Sequence, residues 1–447
     1  MTISDKAMLG KNDFLFLNGR DSNNLLGHLA GQIPLKNATH TIHKHNKKII
    51  DGLGVPFLGI IVPEAHCIYP EHLPNGISIS ENRPVREVIG DMAKGYFYPL
   101  EHLLAYKAQG GTVYTGRDSH WTQPAALECY QALRGSIGRT HLMSLAYQPS
   151  LDAETGDLSA QSHKIVIQNE RKLIAQIKTS YINVFASRIL NHGNVIVTYN
   201  PAGKGRCLAF GTSFSTRLVP AYASDFEEVV FCYGTTADPA IVKLVQPDCV
   251  ICELPERFLH FPTYSVAGST LISLLLGLHD HKGTSTAQLK AGAPVSDKVA
   301  ALGEIFAGIN ARAMGQPARK LMTHLERVDQ SLARRIALLA PFLKEPMEKR
   351  ALRLLLSGQF YNKALLAQVS KHVDDGLLDI GRVALVPDSE AGLLTQIRIF
   401  LRADLEVHAR QALDKLQDQF DTSPEAAYYE NKLRTVKEHL KNLPFST

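Results

Sequence analysis

Short apolar runs that alternate with helical stretches fill residues 1–262, and this alternation constrains the fold more than any other feature. Six runs have the length and composition of strands and are bounded by turn residues. The run Cys249–Cys252 is apolar throughout, which is typical of a parallel strand covered on both faces. The predicted strands are 55–62, 111–115, 194–199, 206–210, 228–232 and 248–254. The predicted helices are 38–53, 85–92, 100–108, 124–134, 215–223 and 237–245. The pattern predicts an α/β fold in which helices flank a parallel sheet.

The sequence changes character after Pro262. A loop rich in Gly, Ser, Thr and His leads into a C-terminal region with almost no strand signal. Apolar residues at spacings of three and four over 321–339 indicate an amphipathic helix. Further helices are predicted at 348–357, 359–372, 389–401, 404–420 and 424–443.

These boundaries predict an α/β domain over 1–262, a linker with short helices over 263–317 and an all-α domain over 318–447. The stretches 356–365 and 401–413 resemble each other, so the last domain is either tetratricopeptide-like or a bundle without repeats. In both cases it is expected to serve as a docking or packing module for a protein partner.

Composition excludes several classes of protein. The 447 residues are 45% hydrophobic, which is enough to build a core without disulfides or metals. The formal net charge of +5 is small and the Lys and Arg residues are dispersed, so no nucleic-acid partner is expected. The longest apolar patch, Leu271–Leu278, is too short to span a membrane. The N-terminus lacks the apolar segment of a signal peptide, which predicts a cytoplasmic protein, or a periplasmic one if a leader is missing.

The six cysteines are expected to be buried free thiols, which suits a reducing compartment. Cys249 and Cys252 have CxxC spacing, but residues three apart on a strand point to opposite faces. No second cysteine pair or nearby histidine completes a zinc site, and nothing in the sequence calls for an organic cofactor.

The segment Gly116–Thr122 directly follows the predicted strand 111–115. Thr122 can cap the helix that opens at Gln123-Pro124, which places Asp118 and His120 in a loop at the sheet edge. A carboxylate two residues from an imidazole can accept its Nδ1 proton and make Nε2 a better base. The alternative is an aspartate that caps a helix beside a solvated histidine.

Ser213 follows the predicted strand 206–210 and a turn that contains Gly211. At the start of a helix, free backbone N–H groups can stabilise an oxyanion beside a serine nucleophile. His120 is the candidate base if the two strand ends are neighbours. A helix-capping serine is the alternative.

A third segment, 229–257, carries further polar residues. Tyr233, Gly234 and Thr235 end a strand and are candidates for a second oxyanion donor. Glu253, Glu256 and Arg257 could instead form an ion pair that fixes the sheet edge, and the structural role is favoured.

In order, these segments resemble the SGNH-hydrolase-like acetyltransferases related to alginate O-acetylation proteins. The resemblance covers about residues 8–262 and rests on five motifs in register. They are GKNDFLFL at 10–17, IVPE at 61–64 with YPEHLP at 69–74, DSHWT at 118–122, GTSFS at 211–215, and Pro247-Asp248 with Glu253 and Glu256-Arg257. The resemblance implies an SGNH-type, flavodoxin-like sheet.

It also implies that Ser213 is the nucleophile, His120 the general base and Asp118 its orienting carboxylate, with the Ser213 N–H as one oxyanion donor. Tyr233, Thr212 and Arg257 are candidates for the remaining oxyanion or substrate contacts. The chain departs from the family in four ways. Thr212 replaces the aspartate of GDS-type enzymes, and no asparagine block is present. The signal peptide or membrane anchor that family members usually carry is absent, and helices replace the carbohydrate-binding β-domain of some members.

The expected activity is therefore O-acetyl transfer from an acyl donor to hydroxyls of a polysaccharide or its precursor, with no metal or cofactor. A carbohydrate or acyl esterase that uses the same site is the nearest alternative, because water can replace the sugar hydroxyl. A non-catalytic scaffold in a polysaccharide biosynthesis complex is the other.

Overall fold

The structure is a computed structural model. It describes residues 7–18, 25–35, 37–139, 145–150, 156–158, 172–177, 181–187, 189–191, 193–260, 294–300, 406–420 and 426–431, together with isolated positions at 262, 265, 270, 271, 274, 302, 390, 393, 394, 397 and 433.

A seven-stranded mixed sheet forms the centre of the described fold, in the order β4-β3-β11-β9-β10-β8-β7. Its strands are β3 (Phe57–Val62), β4 (Tyr96–Phe97), β7 (Ile182–Ala186), β8 (Val195–Tyr199), β9 (Arg206–Gly211), β10 (Glu228–Tyr233) and β11 (Cys249–Pro255). The five strands from β4 to β10 are parallel to one another. Strand β8 runs antiparallel to β10, and β7 runs antiparallel to β8. Two hairpins accompany the sheet, β1 (Ala7–Leu9) with β2 (Leu15–Leu17) and β5 (Leu145–Ser150) with β6 (Lys172–Ile177).

Helices cover both faces of the sheet. They are α1 (Leu25–Leu29), α2 (Asn37–Asp51), α3 (Ala65–Ile68), α4 (Pro84–Val88), α5 (Leu100–Ala108), α6 (Gln123–Leu133), α7 (Val219–Asp225) and α8 (Pro239–Val245). Buried residues of α5, α6 and α7 pack in one core cluster, and those of α2 and α8 pack in another.

Strand β9 shows why the core has two sides. Cys207 and Ala209 lie in the first cluster, while Leu208 and Phe210 lie in the second, so alternate side chains enter opposite layers. Strand β11 divides its cysteines in the same way, with Cys249 in the first cluster and Cys252 in the second. All six cysteines are buried and free, as the sequence predicted.

The structure corrects the sequence prediction in two places. Residues 111–115 do not form a strand, although Val113 and Tyr114 are buried. Their backbone is bonded locally instead: the Tyr69 hydroxyl accepts from Val113 N–H, and the Val113 carbonyl accepts from Thr122 N–H. The sheet is also not wholly parallel, because β8 pairs antiparallel with both β10 and β7.

In the C-terminal region, α9 (Glu406–Gln419) matches the helix predicted over 404–420. The described positions between 390 and 397, and between 426 and 433, are helical where helices were predicted. The predicted helices over 321–339, 348–357 and 359–372, and the stretch 356–365, lie outside the described residues. In the described part of the chain, no helix combines the length and the apolar character needed to cross a membrane.

Candidate active site

Polar side chains collect where the parallel strands end. Glu64 comes two residues after β3, Ser213 two residues after β9 and Arg257 two residues after β11. Because β3, β11 and β9 are parallel neighbours, their carboxyl ends share one edge. Ligands bind at this edge in open α/β sheets.

Hydrogen bonds to Glu253 hold the turn that presents Ser213. The buried Oε2 of Glu253 accepts hydrogen bonds from Thr212 N–H at 3.0 Å and Thr212 Oγ at 3.1 Å. Gly211 is required, since a Cβ there would lie 2.4 Å from Ser215 Oγ. Among the described residues, none accepts a hydrogen bond from the Ser213 backbone N–H, so this donor is available to a ligand.

The loop that carries Asp118 and His120 lies against the Ser213 turn. The Thr122 side chain caps α6 by accepting from Ala125 N–H, as predicted. The indole of the buried Trp121 donates to the Phe214 carbonyl at 3.1 Å. This bond joins the two segments one residue away from His120 and from Ser213.

Asp118, His120 and Ser213 form one continuous chain of hydrogen bonds. His120 Nε2 lies 2.7 Å from Ser213 Oγ, and His120 Nδ1 lies 2.7 Å from Asp118 Oδ1. Asp118 Oδ1 also accepts the His120 backbone N–H at 2.9 Å. With Asp118 ionised, Nδ1 carries the proton and Nε2 accepts from the serine hydroxyl. All three residues are half-buried, so a ligand can reach them.

Two further side chains contact the segment that carries Asp118 and His120, and the sequence motifs did not indicate either of them. Arg217 Nη2 donates to Asp118 Oδ2 at 2.8 Å, and Arg217 Nη1 donates to the Trp121 carbonyl at 2.7 Å. Asp157 accepts from both the backbone N–H and the hydroxyl of Ser119 at 2.7 Å. For Arg217 a signal existed, because it stands one helical turn after Ser213. The sequence around Asp157 carries no comparable signal.

Charge around Asp118 favours its ionised form. Burial alone would raise the pKa of Asp118, but the hydrogen bond from His120 and the nearby charges of His120 and Arg217 outweigh burial. The net result is a pKa well below the usual range of an aspartate. The carboxylate therefore stays charged at any pH where His120 can act as a base.

Thr212 and Tyr233, which the sequence indicated as candidates for oxyanion or substrate contacts, have their polar groups bonded to other parts of the protein. Thr212 is only 1% exposed and bonds Glu253, so it does not face a ligand. The backbone N–H of Tyr233 donates to the Asn194 carbonyl, and that of Gly234 donates to the Gly211 carbonyl, so neither serves as an oxyanion donor.

Arg257 lies beside the site and is oriented by a buried carboxylate. Its Nη1 contacts both carboxylate oxygens of Glu64, at 3.0 and 2.9 Å, and its Cζ lies 4.8 Å from the centre of the Phe214 ring. Glu256 pairs with Arg83 instead, at 3.2 Å. The expected ion pair among Glu253, Glu256 and Arg257 is thus not observed. Glu256 and Arg257 instead pair with Arg83 and Glu64, which lie early in the chain.

Among the described residues, one group has the side chains to bind a metal ion. Asp118, His120 and Asp157 offer ligand atoms within 4.8 Å of one another. These atoms already bond one another or Ser119, and those hydrogen bonds account for the arrangement.

No protein-family model matches the chain, and no curated protein matches its sequence. Several solved structures are similar to it. A DHHW family protein from Eubacterium siraeum is 14% identical with a TM-score of 0.45, covering 57% of this chain and 92% of that one.

Two further solved structures are similar to the chain at the same level. PatB1 of Bacillus cereus, solved with a sulfonyl adduct, is 15% identical with a TM-score of 0.44, covering 57% of this chain and 96% of that one. The O-acetyltransferase domain of Pseudomonas putida AlgJ is 16% identical with a TM-score of 0.40, covering 57% and 92%.

Proposed function

We propose that this protein is a serine-dependent O-acyltransferase that transfers acetyl groups to hydroxyls of a polysaccharide or its precursor. The observation that carries the proposal is the chain of 2.7 Å contacts from Ser213 Oγ through His120 to Asp118. The acetyl group and the carbohydrate acceptor come from the motif resemblance over residues 8–262. The same resemblance supports an SGNH-type, flavodoxin-like class for the α/β domain 1–262. The helical region after 317, which lies outside the resemblance, is proposed separately as a docking module.

The first half of the reaction forms an acyl-enzyme. His120 Nε2 takes the Ser213 hydroxyl proton while Oγ attacks the acyl carbonyl of the donor. The Ser213 N–H then stabilises the tetrahedral oxyanion, and Asp118 stabilises the imidazolium. When the donor bond to the acyl carbon breaks, His120 returns the proton to the leaving group.

The second half repeats these steps with the acceptor. A sugar hydroxyl loses its proton to His120 and attacks the acyl carbon, after which Ser213 leaves and recovers the proton. Arg257, oriented by Glu64, is proposed to contact the substrate. If water replaces the sugar, the site is an esterase.

The proposal is tested by the turnover of an activated acetyl ester, with and without oligosaccharide acceptors. Ser213→Ala and His120→Ala should each lower kcat/KM by about 1,000-fold or more. Their free energies of unfolding should change by less than about 1 kcal/mol, because both side chains are half-buried. Asp118→Ala should be less damaging, because His120 can still accept the proton.

Ser136→Ala and His102→Ala are matched controls on exposed positions, and both should retain activity. Transfer predicts that acetylated oligosaccharide forms at the expense of free acetate. Full activity in either variant would contradict the proposal, and a large loss of stability with unchanged activity would show that these residues are structural. A folded wild-type protein without turnover would favour the scaffold.

A further inference from the structure

Arg217 connects the nucleophile turn to the loop that carries the acid and base. It ends the 3-10 helix Ser215–Arg217, which directly follows Ser213 and Phe214. Its guanidinium makes two hydrogen bonds across the gap, to the Asp118 carboxylate at 2.8 Å and the Trp121 carbonyl at 2.7 Å. The two acceptors flank His120 at a spacing that a planar, forked donor can span.

We propose that Arg217 is a positioning residue that aligns the Asp118–His120 pair with Ser213 and balances the charge of the carboxylate. The inference rests on the proposed function, since it describes how that catalytic site is assembled. Asp118 presents Oδ1 to His120 and Oδ2 to Arg217, so each oxygen has its own partner. The carboxylate cannot rotate without losing one of the two bonds.

The charges around His120 determine the effect of removing Arg217. Asp118 lies at 2.7 Å and Asp157 at 3.9 Å from His120 Nδ1, while Ser213 faces Nε2. The Phe214 ring packs 4.7 Å from the imidazole, and the Arg257 guanidinium lies against the same ring. Without Arg217, one positive charge is lost beside two carboxylates. The loss of this charge should therefore shift the activity of the variant to higher pH.

The test compares Arg217→Met and Arg217→Lys with the wild-type protein, using Arg86→Met on an exposed face of α4 as a matched control. In Arg217→Met, the acidic limb of the kcat/KM–pH profile should move up by about 1 pH unit, a typical effect of one close charge. The plateau should fall by about 10- to 100-fold, because the pair is misaligned. Arg217→Lys should restore the limb but not the plateau, since one ammonium cannot hold both acceptors.

A second readout does not depend on turnover. The Nδ1 proton between His120 and Asp118 should give a far-downfield proton NMR signal, which His120→Gln assigns by removing it. Arg217→Met should remove or displace this signal, whereas Arg86→Met should leave it unchanged.

The outcomes separate this inference from the proposed function. If folded Arg217→Met keeps the acidic limb of the kcat/KM–pH profile and the downfield NMR signal of wild type, Arg217 does not position the pair, even if the enzyme is active. A loss of stability without a change in the acidic limb or the NMR signal would show that Arg217 only holds the two segments together. An inactive wild-type protein would contradict the acyltransferase proposal, while the NMR signal would still decide whether Arg217 positions the pair.

Discussion

Two buried glutamates, Glu253 and Glu256, lie near the site at the carboxyl end of β11. Glu253 bonds the Thr212 turn, and Glu256 accepts the Tyr98 hydroxyl at 2.6 Å and pairs with Arg83. Both side chains are fully buried, and desolvation raises the pKa of each from 4.5 to about 7. Hydrogen bonds from Thr212 and Tyr98 oppose this shift without cancelling it.

At the residue scale, Glu253→Gln should therefore remove the contribution of one buried carboxyl group to the pH dependence of stability. Between pH 4.5 and about 7 each of these two glutamates binds more protons in the folded state than in the unfolded chain, so their contribution to the free energy of unfolding falls as pH rises. The variant lacks one of the two groups, so in urea denaturation at a series of pH values its free energy of unfolding should fall less, or rise more, over this range than that of wild type. Glu87→Gln, on an exposed position, is the control. Parallel curves for Glu253→Gln and wild type would contradict the assignment.

The sequence could indicate some of these residues but not their partners. Asp118 and His120 stand two residues apart, and Ser213 lies in a glycine-containing turn after a strand, so local chemistry singles them out. Arg257 and its partner Glu64 are 193 residues apart. Only the order of strands β3 and β11 brings them together, and no local pattern encodes that order.

At the element scale, burial explains which strands were predictable. Strands β9, β10 and β11 are covered on both faces and are apolar over almost their whole length. Residues 111–115 have the same apolar character, but their backbone partners are the Tyr69 hydroxyl and Thr122 rather than a strand. Burial can thus be inferred from such a run, whereas hydrogen bonding to a distant side chain cannot. Strand β4, with only two residues, leaves no periodic signal.

Residues 156–158 support the loop that carries the acid and base. The Leu158 N–H donates to the Arg117 carbonyl at 3.2 Å, next to the contacts of Asp157 with Ser119. A Cβ on Gly156 would lie 2.1 Å from the same carbonyl oxygen. The close approach is possible only with glycine.

Gly156→Ala should therefore displace this loop and lower acyl turnover by about 10- to 100-fold, because small misplacements near catalytic groups are costly. The melting temperature should change little, since Gly156 contributes no side chain to the core. Gly135→Ala, where a Cβ would meet nothing within 4 Å, is the control. Unchanged kcat/KM in Gly156→Ala would show that the loop holds its position without this segment.

At the scale of the whole molecule, a buried ion pair joins Arg134, the residue after α6, to the end of α7. Asp225 accepts from Arg134 Nε at 2.7 Å, from Arg134 Nη2, and from the Tyr130 hydroxyl at 2.9 Å. Arg134 and Asp225 are 3% and 1% exposed. Removing the Asp225 carboxylate would take away these hydrogen bonds and an ion-pair partner of a buried guanidinium.

Asp225→Ala should accordingly lower the free energy of unfolding by about 3–5 kcal/mol in urea denaturation. The rate per folded molecule should stay near that of wild type, because Asp225 has no contact with the Ser213–His120–Asp118 chain. Asp51→Ala, at an exposed ion pair on α2, should cost less than about 1 kcal/mol. Equal effects of the two substitutions would contradict the importance of the buried pair.

The central claim is that Ser213 carries the acyl group, and intact-mass spectrometry tests it most directly. The purified protein is incubated with an activated acetyl ester and quenched in acid before the acyl-enzyme can turn over. We expect the mass of wild type to increase by one acetyl group located on Ser213, and the mass of Ser213→Ala to stay unchanged. An acetyl group on another residue, or an equal gain in Ser213→Ala, would contradict the account.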